Sequence, residues 1–127
     1  MSSPQRILVV DDEEDIRSII QLALTLQTPW QVLLASSGPE ALSLAKTQQP
    51  DLILLDRMMP GMDGPSTLQQ LKAHPQTQSI PVLLMTAAPL PPETLTALGA
   101  VGILPKPFRP LQLAQQLQAI LGEAPTA

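Results

Sequence analysis

Four places in this chain put a reactive side chain directly after a run of aliphatic residues. Ile7-Leu8-Val9-Val10 is followed by Asp11-Asp12, and Leu52-Ile53-Leu54-Leu55 by Asp56. Val82-Leu83-Leu84-Met85 is followed by Thr86, and Val101-Gly102-Ile103-Leu104 closely by Lys106-Pro107. Short apolar runs bounded by turn residues read as strands buried on both faces. An open α/β sheet binds its ligands beyond the carboxyl ends of such strands. If the four runs are neighbouring parallel strands, three carboxylates, a hydroxyl and an ammonium converge. Carboxylates held together raise one another's pKa, so the group needs a divalent cation and a lysine to balance it. Oxygen-only ligands suit Mg²⁺, which keeps several waters and leaves room for phosphate oxygens. A carboxylate placed there serves as metal ligand or as nucleophile.

Each residue also has a plainer reading. Asp56 can cap the turn that begins the Pro- and Gly-rich stretch Arg57 to Gly64. Asp11 and Asp12 open a run of five acids that sits where a helix dipole favours negative charge. Glu13, Glu14 and Asp15 take that plainer role. Thr86 can simply end a strand, where β-branched residues are common. Lys106 can be a surface lysine beside an ordinary turn. Singly, these readings are the safer ones. Jointly they require a coincidence at every strand end, and the site is the better account.

The elements that would carry these residues alternate. After strand 1, Ile16, Ile19, Ile20, Ala23, Leu24 and Leu26 recur at helical spacing, with Gln27-Thr28-Pro29 ending helix 1. Trp30 to Ala35 reads as strand 2. Ser36-Ser37-Gly38-Pro39 starts helix 2 with a serine cap and a proline in the first turn. Its inward positions are Ala41, Leu42, Leu44 and Ala45. Helix 3 opens at Gly64-Pro65-Ser66, turns Leu68 and Leu71 inward and ends at His74-Pro75. His74, at a helix end and without companion ligands, reads as a solvated side chain. Helix 4 follows the loop Pro89 to Pro92 and runs to Leu98, with Gly99 as its C-cap. Helix 5 spans Pro110 to Leu121, with Leu111, Leu113, Ala114, Leu117, Ile120 and Leu121 apolar and Gly122 as its stop. Five strands alternating with five helices predict a parallel sheet covered on both faces.

Composition narrows the function. The chain has 127 residues, 44% of them hydrophobic, enough for one domain with a substantial core. No apolar run is long enough to span a bilayer, and residues 1–6 lack the layout of a signal peptide. With no cysteine there is no disulfide framework or thiolate metal site. A cytoplasmic location is the expectation. A net charge of −4 without a basic patch argues against nucleic-acid binding. Trp30 and Phe108 are the only aromatics, which removes base-stacking platforms.

Asp11-Asp12, Asp56, Met59-Pro60-Gly61-Met62-Asp63-Gly64, Thr86-Ala87 and Lys106-Pro107-Phe108 together resemble the receiver domains of two-component response regulators. The resemblance covers about residues 5–122 and leaves 123–127 as a tail, with no output domain expected to follow. It implies a flavodoxin-like, doubly wound five-stranded sheet of order 2-1-3-4-5. Pro105 fits that order, because a proline within a strand points to an edge. It also implies that Asp56 accepts a phosphoryl group from a phosphohistidine on a sensor histidine kinase or phosphotransfer protein. Asp11, Asp12, Asp56 and the backbone carbonyl of Met58 would hold Mg²⁺. Lys106 would pair with Asp56 and then with a phosphoryl oxygen. Thr86 would donate its hydroxyl to the phosphate, moving inward, and the Lys106–Pro107 bond would be cis. Signalling would run through the helix 4–strand 5–helix 5 face to a protein target not named by the sequence. The switch position on strand 5, often aromatic in the family, is Ile103.

Three rivals are weighed against this. A phosphohydrolase with an aspartyl nucleophile places a second Asp two residues later as acid/base, where this chain has Met58. A flavodoxin-like electron carrier needs a Ser/Thr/Gly-rich phosphate loop after strand 1, where Asp11 to Glu14 would repel a phosphate. A receiver-like module that only binds partners would not need the intact acids and Lys106. Helices 4 and 5 carry few charges, so a monomer or weak dimer is expected. Leu90, Pro91 and Pro92 suggest a mildly apolar docking surface.

Overall fold

The computed structural model describes residues 6–120. Its elements alternate in chain order: β1 (Arg6–Val10), α1 (Glu14–Gln27), β2 (Gln31–Ala35), α2 (Gly38–Gln48), β3 (Leu52–Asp56), α3 (Gly64–Ala73), β4 (Val82–Thr86), α4 (Pro92–Leu98), β5 (Gly102–Pro105) and α5 (Leu113–Ile120). One 3₁₀ turn, Pro110–Gln112, leads into α5, so the helix begins three residues later than its apolar pattern suggests. The proposed stop at Leu121–Gly122 and the tail 123–127 lie outside the described residues.

The strands form one parallel sheet of order β2-β1-β3-β4-β5. Every residue of β3 and β4 is buried, as continuous aliphatic runs in a doubly covered sheet require. The period-2 alternation splits the core in two. Ile7, Val9, Leu52, Leu54, Leu83 and Met85 pack with Ile20, Ala23 and Leu24 of α1 and Leu113 and Leu117 of α5. Leu8, Val10, Ile53, Leu55, Val82 and Leu84 pack with Ala41 and Ala45 of α2 and Leu68 and Leu71 of α3. β5 is an edge strand, and Pro105 occupies it opposite Thr86.

Three apolar assignments are corrected. Ile19 and Leu26 are 42% and 75% exposed, and Leu111 is 87% exposed. Ile19, Leu22 and Leu26 make a second, exposed stripe on α1, with Ile19 bordering a groove beside Phe108 and Pro110, while Ile20, Ala23 and Leu24 face the sheet. Leu111 precedes α5 and escapes the packed face. Trp30 sits just before β2 and is buried against the α1 side of the sheet. Leu90 packs against the α2–α3 core, while Ala87, Ala88, Pro89 and Pro91 of the β4–α4 loop and Pro92 at the start of α4 stay exposed.

Candidate functional site

Register brings the reactive residues together. Val10 lies beside Leu55, so Asp11 and Asp56 end adjacent strands at the same level. Asp56 pairs with Met85, which sets Thr86 one step beyond it, and Thr86 pairs with Pro105, which delivers Lys106. The Lys106 N–H donates to the Thr86 carbonyl at 3.0 Å, so the backbone follows the sheet to the lysine itself. The Lys106–Pro107 peptide is cis.

Asp11, Asp12 and Asp56 each offer a carboxylate oxygen within 4.8 Å of the others. Asp11 is fully buried and anchored on every side. Its N–H donates to the Ala35 carbonyl at 3.1 Å. Its carbonyl accepts from Arg17 Nη1 at 2.7 Å. Its Oδ1 accepts from the Glu13 N–H at 2.9 Å, and its Oδ2 lies 3.4 Å from Lys106 Nζ. Asp12 is exposed, and its carboxylate makes no hydrogen bond or ion pair among the described residues. Asp56 is buried, with Oδ1 3.0 Å from Lys106 Nζ.

Burial pushes the Asp56 carboxyl above the usual aspartate range. The Lys106 hydrogen bond opposes that rise, the Asp11 charge adds to it, and the Met58 N–H opposes it further. Burial also disfavours the Lys106 ammonium, but its bond to Asp56 and the charges of Asp11 and Asp56 outweigh that and raise it. One ammonium thus faces three carboxylates. An all-oxygen set with two negative charges in excess, one of them on a free exposed carboxylate, fits a hard divalent cation such as Mg²⁺.

Thr86 is buried, and its Oγ1 accepts the Ala88 N–H at 3.1 Å, which leaves the hydroxyl proton free to be donated. Met58 follows β3 with its side chain 73% exposed. Ile103 is half-buried opposite Leu84 on β5, outside the acidic cluster. His74 lies at the far end of α3 from Asp63, and its carbonyl accepts the N–H groups of Thr77 and Gln78.

Two supports escaped the sequence reading. Asp63 is the N-cap of α3, accepting the Ser66 N–H at 2.9 Å. An Asp ahead of Gly-Pro-Ser is a readable cap signal. Gly64 then lies directly on the Asp56–Arg57 backbone, where a Cβ would collide with the Asp56 carbonyl and come within 2.8 Å of Arg57 Cα. The Gly64 N–H donates to the Arg57 carbonyl at 3.0 Å, closing the base of the loop between them. The other support, Arg17 on the Asp11 carbonyl, bridges six residues and carries no local signature.

The family profile of the response regulator receiver domain matches residues 7–118. The chain is 40% identical over 119 residues to the alkaline phosphatase synthesis transcriptional regulatory protein PhoP of Bacillus subtilis, covering 92% of this chain and 48% of that protein. It is 35% identical over 119 residues to the probable transcriptional regulator ycf27 of Porphyridium aerugineum, with the same 92% and 48% coverage. The chain therefore spans about half the length of these relatives. Among solved structures, the chemotaxis protein CheY4 of Vibrio cholerae superposes with a TM-score of 0.84 at 32% identity, covering 93% of this chain and 99% of CheY4. With the profile spanning most of its length and the sheet order, the chain belongs to the receiver domain family of two-component response regulators.

Proposed function

We propose that the chain is a phosphoacceptor whose Asp56 takes a phosphoryl group from the phosphohistidine of a sensor kinase or phosphotransfer protein. The observation that carries this reading is the buried Asp56 carboxylate, 3.0 Å from Lys106 Nζ and grouped with Asp11 and Asp12. A carboxylate oxygen of Asp56 attacks phosphorus. The P–N bond breaks, its electron pair stays on the imidazole, and the imidazole takes up a proton. Positioning and electrostatics carry most of such a transfer, because charge is spread over the equatorial oxygens. Asp11, Asp12, Asp56 and the Met58 carbonyl would hold Mg²⁺, which supplies charge neutralisation for the transferred group. Lys106 stands ready to leave Asp56 for a phosphoryl oxygen. The Thr86 hydroxyl donates to another, and backbone N–H groups after Thr86 complete the cradle.

Residues 5–122 form the receiver unit in this reading, and the protein works in the cytoplasm as a monomer or weak dimer. Its output is a change on the α4–β5–α5 face, read by a protein partner rather than by nucleic acid. The chain assists its own phosphorylation and dephosphorylation without being an enzyme that turns over a separate substrate. Incubation with a small acyl-phosphate donor and Mg²⁺ tests the reading. Wild type should gain one hydroxylamine-labile phosphoryl group, and Asp56→Asn should gain none. Equal labelling of the two would overturn the assignment of Asp56. No labelling of wild type with donor or kinase would favour a module that only binds partners.

A further inference from the structure

We propose that Arg17 is a positioning residue for the metal-binding end of the site, holding the Asp11–Asp12 peptide so that Asp12 points at the cluster. The inference rests on the reading of that cluster as a Mg²⁺ site.

Arg17 lies in the first turn of α1 and is half-buried. Its Nη1 donates to the Asp11 carbonyl at 2.7 Å, a short, charge-assisted bond. The Asp11 side chain and N–H are fixed by Glu13, Lys106 and Ala35 without its help. The carbonyl is different. It begins the peptide that carries Asp12, and the Arg17 guanidinium is its partner. The Asp12 carboxylate, exposed and without a bond of its own, takes its direction from the peptides on either side of it, one held by Arg17 at the Asp11 carbonyl and the other by the Glu13 N–H on Asp11 Oδ1. Holding it beside two other carboxylates runs against their mutual repulsion. A released peptide would turn and let Asp12 relax toward water. Glu40 is bonded to the Ser36 N–H and hydroxyl, so the Asp11 carbonyl is the hydrogen-bonding partner of the Arg17 guanidinium among the described residues.

Electrostatics and positioning predict opposite signs. A cation beside the cluster repels Mg²⁺, so an arginine that merely stood there would, when removed, tighten metal binding. Loss of a group that orients a ligand instead weakens it, about tenfold at the low end for outer-shell partners. The test is a Mg²⁺ titration followed by ¹H–¹⁵N shifts on wild type, R17M and R17K, with metal-free spectra to check the fold. R17M keeps the apolar stem and loses the donor, and its Mg²⁺ affinity should fall about tenfold. R17K keeps the charge and one shorter donor and should fall about threefold, because a point ammonium replaces the guanidinium imperfectly. If R17M does not fold, R17K decides alone. Binding unchanged or tighter in either folded variant overturns the role of Arg17 while leaving the site intact. A wild type that binds no Mg²⁺ overturns the metal site, and this inference with it.

Discussion

Lys106 Nζ lies 3.0 Å from Asp56 and 3.4 Å from Asp11, so one ammonium bridges two buried carboxylates from different strands. It does not fully compensate Asp56, whose carboxyl burial still holds above its ordinary value. The folded state thus binds that proton more tightly than the unfolded chain. Stability should fall as pH rises from the unfolded value of 3.8 through the higher folded value, and stay lower above it. Asp56→Asn should accordingly raise Tm at neutral pH without metal. The gain should fade below the unfolded carboxyl range. Thermal scans between acid and neutral pH check it, and a neutral-pH Tm lower than wild type would contradict it.

Asp11 and Asp12 should behave differently although they are neighbours. Asp12→Asn removes an exposed, unbonded charge and should weaken Mg²⁺ at least tenfold with Tm within about 2 °C of wild type. Asp11→Asn disturbs a buried acceptor of both Glu13 N–H and Lys106, and should cost stability by about 1–3 kcal/mol as well as metal. Paired melting and metal titration of the two variants separate them.

Gln27 ties the end of α1 to the start of α5. Its Nε2 donates to the Pro110 carbonyl at 2.6 Å, and its Oε1 accepts the Ala114 N–H at 3.2 Å. The second bond satisfies an N–H in the first turn of α5. Gln27→Ala should destabilise by about 1 kcal/mol. Hydrogen exchange should quicken across residues 113–117 before it does in β1.

Ile103 bears on the size of the switch. It is half-buried and β-branched, with few χ1 choices, and cannot carry a hydroxyl from solvent to core. If Thr86 moves toward a phosphate as proposed, the adjustment should fall mostly between Ala87 and Glu93. Backbone shifts with and without beryllofluoride should be largest there. Large changes across α5 with little in that loop would reverse this expectation.

The inner strands were legible because the aliphatic runs of β1, β3 and β4 suit a doubly covered sheet, whereas Val101, expected to be buried with the fourth run, lies before β5 and is 52% exposed because β5 is an edge. The faces of α1 were less so. Ile20, Ala23 and Leu24 and the rival stripe Ile19, Leu22 and Leu26 are equally apolar, and only packing against β1 and α5 selects between them. Leu111 fell on the helical period, but the 3₁₀ entry into α5 turns it outward. The Gln27 clamp joins residues 83 and 87 positions apart, a distance at which a single sequence carries no pairing signal. Arg17 was invisible for another reason: its partner is a backbone carbonyl, and every residue type supplies one.

The bond from Gly64 N–H to the Arg57 carbonyl makes the loop between them a small closed excursion, anchored at its base beside Asp56. Pro60 stands exposed at its outer part, and the chain has no cysteine. A single cysteine substituted for Pro60 would therefore be the only thiol available for labelling. A fluorophore attached there would ride a few residues from Asp56, so that under the proposed phosphoacceptor role the protein would become its own optical reporter of occupancy.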